Sequence, residues 1–127
     1  MVAAFSIAAS TQAFADSQII HDSTHSDALG RSIPMYVYLP DGYQTATEPY
    51  PVIHRRHGEE SKEDSWVDRG GIKVTADNLI ARKQLRPSVI VMPTTGPQTW
   101  YVDGNADKAE TAILKDLLPF VEKKYNT

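Results

Sequence analysis

GIKVTADNLIARKQLRPSVIVMP, residues 71–93, decides the fold. From Gly71 to Leu85, Ile72, Ala76, Leu79, Ile80 and Lys83 recur at helical spacing, and Arg82 and Lys83 fall near the C-terminal end, where cations suit the helix dipole. Pro87 stops that helix. Ser88-Val89-Ile90-Val91-Met92 then runs between two prolines as a strand buried on both faces would. A helix feeding directly into such a strand is a crossover, so the sheet should contain parallel strands.

Working toward the N-terminus, SQIIHDST (17–24) reads as a strand, and IPMYVYL (33–39) alternates and is rich in β-branched and aromatic residues. Ser26 to Gly30 supplies a turn, which makes the two a hairpin. Pro40-Asp41-Gly42 and the stretch to Pro51 are turn-rich, and Val52 to His57 reads as a third strand ending at Gly58. Polar residues dominate from there to Gly71. Toward the C-terminus, Asp107 to Tyr125 sets Ile113, Leu117, Phe120, Val121 and Lys124 on one helical stripe, with Pro119 expected to kink it. The order β-β-β-α-β-α predicts an α/β fold whose sheet begins antiparallel and becomes parallel, with helices on its faces.

Composition narrows the function. The chain has 127 residues, 41% of them hydrophobic, a net charge of −3 and no cysteine. That is one domain with enough apolar content for a core. No basic cluster is longer than a pair such as Arg55-Arg56, which gives no footprint for nucleic acid or an anionic membrane. Without cysteine there is no disulfide framework, no thiol catalysis and no thiolate zinc site. Residues 1–15, MVAAFSIAASTQAFA, are uncharged, carry a short apolar run and close on Ala13-Phe14-Ala15. They read as the end of a secretory signal peptide, which would place the protein outside the cell or in the periplasm; the usual leading Lys or Arg is missing, so either the start codon is misplaced or the segment is only a frayed tail.

Several ordered motifs together resemble one family. VYLPDGY (37–43), YPVI (50–53) followed by His57-Gly58, Trp66, ADNLIA (76–81), RPSVIVMP (86–93), WYVDG (100–104) and ETAILKDLLPFVEKKYNT (110–127) look like the N-terminal half of the Putative esterase family. That group of α/β-hydrolases contains feruloyl esterases, esterase D (S-formylglutathione hydrolase) and mycolyltransferases. The resemblance covers roughly residues 24–127 and implies hydrolysis of carboxylic esters through a covalent acyl-serine, with no metal or organic cofactor. It also implies a serine on a G-x-S-x-G elbow, then an acid and a histidine. None of the nine serines sits in such an elbow; Gly30-Arg31-Ser32-Ile33-Pro34 lacks the second glycine and falls in the hairpin. The catalytic triad is therefore expected beyond Thr127, and residues 16–127 are expected to be the N-terminal part of an esterase domain, inactive alone.

Within the chain, the resemblance gives the backbone N–H groups of Gly58 and Glu59 to an oxyanion hole. A strand end with a turn is the plain alternative for His57-Gly58. Glu59-Glu60 departs from the family, which prefers glycine or a small apolar residue there, because two carboxylates beside an oxyanion oppose it unless they face solvent. His54-Arg55-Arg56 departs too: on a central strand it would send a guanidinium to each helix-covered face, a costly burial, so the strand is exposed here or the copy is degenerate or carries an error. Trp66, Trp100 and Tyr101, expected in loops, are by resemblance contacts to the acyl or sugar part of the substrate.

Other residues point to less. His21 and His25 share a strand face and His54 and His57 do not; either pair reads as polar surface before it reads as a metal site. Asp103-x-Asn105-x-Asp107 begins like a calcium loop, but its glycine and Glu110 are misplaced, so it reads as a turn and a helix N-cap. Glu122-Lys123-Lys124 reads as a solvated helix end. The expected substrate is a small-molecule or polysaccharide-linked ester, feruloyl or acetyl, and the reading from another class is a non-catalytic remnant or carbohydrate-binding module on the same sheet.

Overall fold

The computed structural model describes residues 16–58, 62–96, 100–104 and 107–127. Residues 1–15, expected to hold a signal peptide, lie outside the described residues, as do Glu59, Glu60 and Asn105. Strands β1 (Gln18–Ser26) and β2 (Arg31–Leu39) form the expected antiparallel hairpin, each a residue or two longer at one end than its apolar run. Gly30 closes the turn with a φ of 65°, a left-handed conformation that glycine adopts without steric cost. Strand β3 spans Val52–His54, helix α1 Ile72–Ala81 and strand β4 Val89–Pro93. The sheet runs in the order β1-β2-β4-β3, with β2 and β4 antiparallel and β3 and β4 parallel. This is the mixed α/β sheet expected from residues 71–93.

Every residue of β4 is buried. Alternation along β2 and β4 splits the core in two. Ile33, Met35, Val37, Val89 and Val91 pack against Leu117, Val121 and Tyr125, whereas Tyr38, Ile90 and Met92 pack with Ala76 and the partly buried Ile72, Ile80 and Trp66. The C-terminal helical stretch comprises α2 (Ala109–Ala112), one wide π turn (Ile113–Leu117) and α3 (Leu118–Lys124). Pro119 lies in the first turn of α3, and the wide turn directly before it takes up the missing N–H and the ring.

Three details differ from the sequence reading. The third strand stops at His54 instead of His57: Arg55 still donates its N–H to the Val91 carbonyl at 2.8 Å, but beyond it the chain turns off the sheet. Arg55 and Arg56 are therefore exposed, not driven into two covered faces. Helix α1 ends at Ala81, since Lys83 has a φ of 58° and leaves the helical conformation before Pro87 is reached. Finally, Trp66 stands on a π-helical turn, Ser65–Arg69, and not in a loop.

Candidate active site

Two parallel strands end side by side here, at the carboxyl ends where open α/β sheets keep their binding crevices. From β3 the chain passes through Arg55 and Arg56 to His57 and Gly58; from β4 it passes to Thr94, Thr95 and Gly96. His57 is only 8% exposed. Its Nδ1 lies 2.7 Å from the Gly58 carbonyl oxygen, which only accepts, so Nδ1 carries the proton. Its Nε2 lies 2.7 Å from Thr94 Oγ1, and in the neutral ring it accepts the threonine proton. Thr94 Oγ1 in turn accepts the Gly96 N–H at 3.2 Å. The imidazole thus pins the end of β3 to the end of β4.

Tyr101 completes the packing around that imidazole. Its ring meets His57 edge-on, with centroids 5.5 Å apart, and its hydroxyl donates to the Pro93 carbonyl at 3.2 Å. Burial pushes the phenol up to about 12, against the opposing pull of a His57 backbone hydrogen bond and the Arg56 charge. Trp100 and Tyr101 both hold positive φ, 47° and 57°, a conformation that costs non-glycine residues about 1 kcal/mol or more each. The result is divergence: Tyr101 is 9% exposed and Trp100 is 70% exposed, its indole presented to solvent.

On the other side of His57, the π turn brings Trp66 close. The Trp66 indole N–H donates to the Arg56 carbonyl at 3.2 Å, and the Arg55 guanidinium lies over the Trp66 ring, 3.9 Å from its centroid. Arg56 lies over Tyr101 at 5.2 Å. Gly70 permits the turn: a Cβ there would stand 2.9 Å from the Trp66 carbonyl oxygen and 3.0 Å from its ring. The turn closes with the Gly70 N–H donating to the Ser65 carbonyl at 3.1 Å.

A cavity of about 250 Å³ opens between these elements, lined by His57, Gly58, Ser65, Trp66, Arg69 and Gly70. Gly58 is exposed to it, and a Cβ at Gly58 would meet nothing within 4 Å. The structure therefore brings Gly58 and Trp66 to one cavity, places Tyr101 behind His57, and leaves Trp100 outside the cavity's lining; Glu59 falls outside the described residues. Thr94 carried no signal in sequence, except that Thr94-Thr95-Gly96 directly follows the buried strand, and Arg55-Arg56 stood out there as a departure from the family and not as site residues.

The remaining candidates do not converge. His21 stacks on Tyr36 and lies 3.7 Å from Glu63, while His25 lies 3.5 Å from Asp27. Among the described residues no group of three metal-ligating side chains forms. Asp103 accepts the Thr111 N–H at 2.9 Å and the Thr111 hydroxyl, so it caps the first turn of α2; these bonds hold its carboxyl below the usual range. Lys124 is not simply solvated, because its Nζ donates to Asp22 at 2.7 Å.

The family model described as "Putative esterase" matches residues 26–127. An endo-1,4-beta-xylanase/feruloyl esterase of Xylanibacter ruminicola is 31% identical over 111 residues, a match that covers 80% of this chain and 15% of that protein. The structure of a ferulic acid esterase superposes with a TM-score of 0.84 at 29% identity, over 90% of this chain and 46% of that one. A ferulic acid esterase from Anaeromyces mucronatus, solved with ferulic acid, superposes with a TM-score of 0.72 at 21% identity, over 91% of this chain and 46% of that one, a likeness of fold. The chain thus spans less than half the length of each of these relatives.

Proposed function

The chain belongs to the Putative esterase family, and on that premise we propose that it supplies the oxyanion-binding half of an exported serine carboxylesterase, feruloyl or acetyl esterase-like. The observation that carries this reading is the His57-Gly58 corner, fixed between Thr94 and Tyr101 and open at Gly58 onto a cavity of about 250 Å³. Acyl transfer needs preorganised donors at the position where charge develops on the ester carbonyl oxygen. In this reading the backbone N–H groups of Gly58 and Glu59 are those donors. The imidazole of His57 is committed to Gly58 and Thr94, so it positions the corner and does not abstract a proton. Trp66 forms a wall for the acyl or sugar part, and Trp100 offers an exposed face to the same substrate.

The serine, acid and histidine come from residues following Thr127 in this reading. The ester is small or polysaccharide-linked, and residues 1–15 direct export. The test is to continue the chain through its adjoining reading frame and assay it on a feruloyl ester. We expect a G-x-S-x-G segment and turnover that is lost when its serine is changed to alanine. A frame without that segment, with retained binding of the saccharide, would favour a non-catalytic carbohydrate-binding module instead.

A further inference from the structure

The cavity mouth carries an unexpected charge for a chain of net charge −3. Arg55, Arg56 and Arg69 are all exposed and gather around it: Arg69 lines it, Arg55 lies on Trp66, which lines it, and Arg56 lies on Tyr101, which backs His57. Among the described residues none of the three has a carboxylate within ion-pair distance. Among the described residues the nearby acidic side chains do not answer them: Glu63 lies beside His21, and Asp64, just before the π turn, and Asp68, on it, form no ion pair.

A guanidinium held flat on an aromatic ring loses little, because its five N–H groups point outward in the ring-parallel plane. Arg55, with its guanidinium carbon 3.9 Å from the Trp66 centroid, forms no ion pair among the described residues, which suits it to a planar, bidentate anion. Trp100, next in the chain to the Tyr101 ring over which Arg56 lies, exposes its indole, a surface that suits the apolar face of a pyranose. We infer that the arginine rim is a subsite for the carboxylate of an acidic saccharide, a uronic-acid unit carried by the same polysaccharide as the ester. This deepens the esterase reading and rests on it for the ester alone, since the saccharide binds without chemistry.

The 127-residue chain is titrated with a glucuronic-acid-bearing xylo-oligosaccharide and with the same oligosaccharide after reduction of its carboxyl to the alcohol. The acidic form is expected to bind about tenfold more tightly, the scale of one charge-assisted bidentate contact. Its affinity should fall as salt rises, whereas that of the reduced form should not. Arg55→Gln with Arg69→Gln should erase the difference, and the salt dependence of the unmodified chain gives the same answer if that variant does not fold. Equal affinity for the two oligosaccharides, or binding of neither, overturns the subsite. Equal affinity for the two oligosaccharides would not count against turnover of a simple feruloyl ester by the continued chain, and absence of that turnover would not count against the binding difference, so the two failures are separable.

Discussion

The Trp66 indole N–H donates to the carbonyl oxygen of Arg56 at 3.2 Å, joining a π turn to the segment that leaves β3. This one bond fixes the wall of the cavity relative to Gly58. Trp66→Phe keeps an aromatic face for Arg55 but removes the donor. A loss of about 1 kcal/mol is expected in the denaturant midpoint, the usual net worth of such a bond. An unchanged midpoint would mean that the turn and the strand end are held together by other contacts.

Gly70→Ala should cost more. The added methyl would sit 2.9 Å from a backbone oxygen, which cannot rotate away as a side chain can. Overpacking of this kind destabilises by about 1–3 kcal/mol. Gly58→Ala, where the methyl meets open space, serves as the control and should leave stability nearly unchanged. Equal effects of the two would contradict the close approach at Trp66.

Stability should fall in mild acid through His54. Its Nδ1 is buried without a hydrogen-bond partner among the described residues, and burial holds the imidazole below its ordinary value of 6.5 although Glu122 pulls the other way. Below that value the unfolded chain binds a proton that the folded chain refuses, so stability is full above about pH 6.5 and declines as pH falls below it. Asp22 and Asp77 act lower. Burial opposes both carboxylates, but hydrogen bonds from Lys124 and Tyr125 to Asp22, and from Ser17, Tyr38 and Lys73 to Asp77, hold them below 3.8. Denaturant midpoints between about pH 7.5 and about pH 5 should therefore drop, and His54→Leu should flatten the drop. A His54→Leu slope as steep as the unmodified chain's would remove His54 from this role.

Arg55→Leu with Arg56→Leu should not stabilise the chain. Both guanidiniums are exposed and stacked on Trp66 and Tyr101, so their loss forfeits about 0.5–1 kcal/mol each and relieves no buried charge. A midpoint raised by several kcal/mol would show that these charges are buried after all.

What was legible in sequence was what local pattern writes. The run Val89–Met92 showed its double burial, and the alternation of Ile33–Leu39 showed its hairpin, because side-chain period is set by the backbone of one segment. The end of β3 was not legible: Val52 to His57 has no breaker before Gly58, and only the turn of Arg55 and Arg56 toward distant aromatic rings ends it. The Ser65–Arg69 turn hid in a polar stretch, with Gly70, four residues after Trp66, as its faint sign. The left-handed backbone of Trp100 and Tyr101 had no glycine or asparagine to announce it. His57 was singled out as part of a motif, but its anchoring by Thr94 spans 37 residues and no single segment encodes it.

The most direct measurement is hydrolysis of a short-chain aryl ester by the purified 127-residue chain, set beside the chain continued through its adjoining reading frame. On the proposed reading, which places the nucleophile downstream of Thr127, the chain alone should give no turnover above background, while the continued chain should give turnover that depends on one downstream serine. Turnover by the 127-residue chain that disappears when any one of its nine serines is replaced would contradict the account.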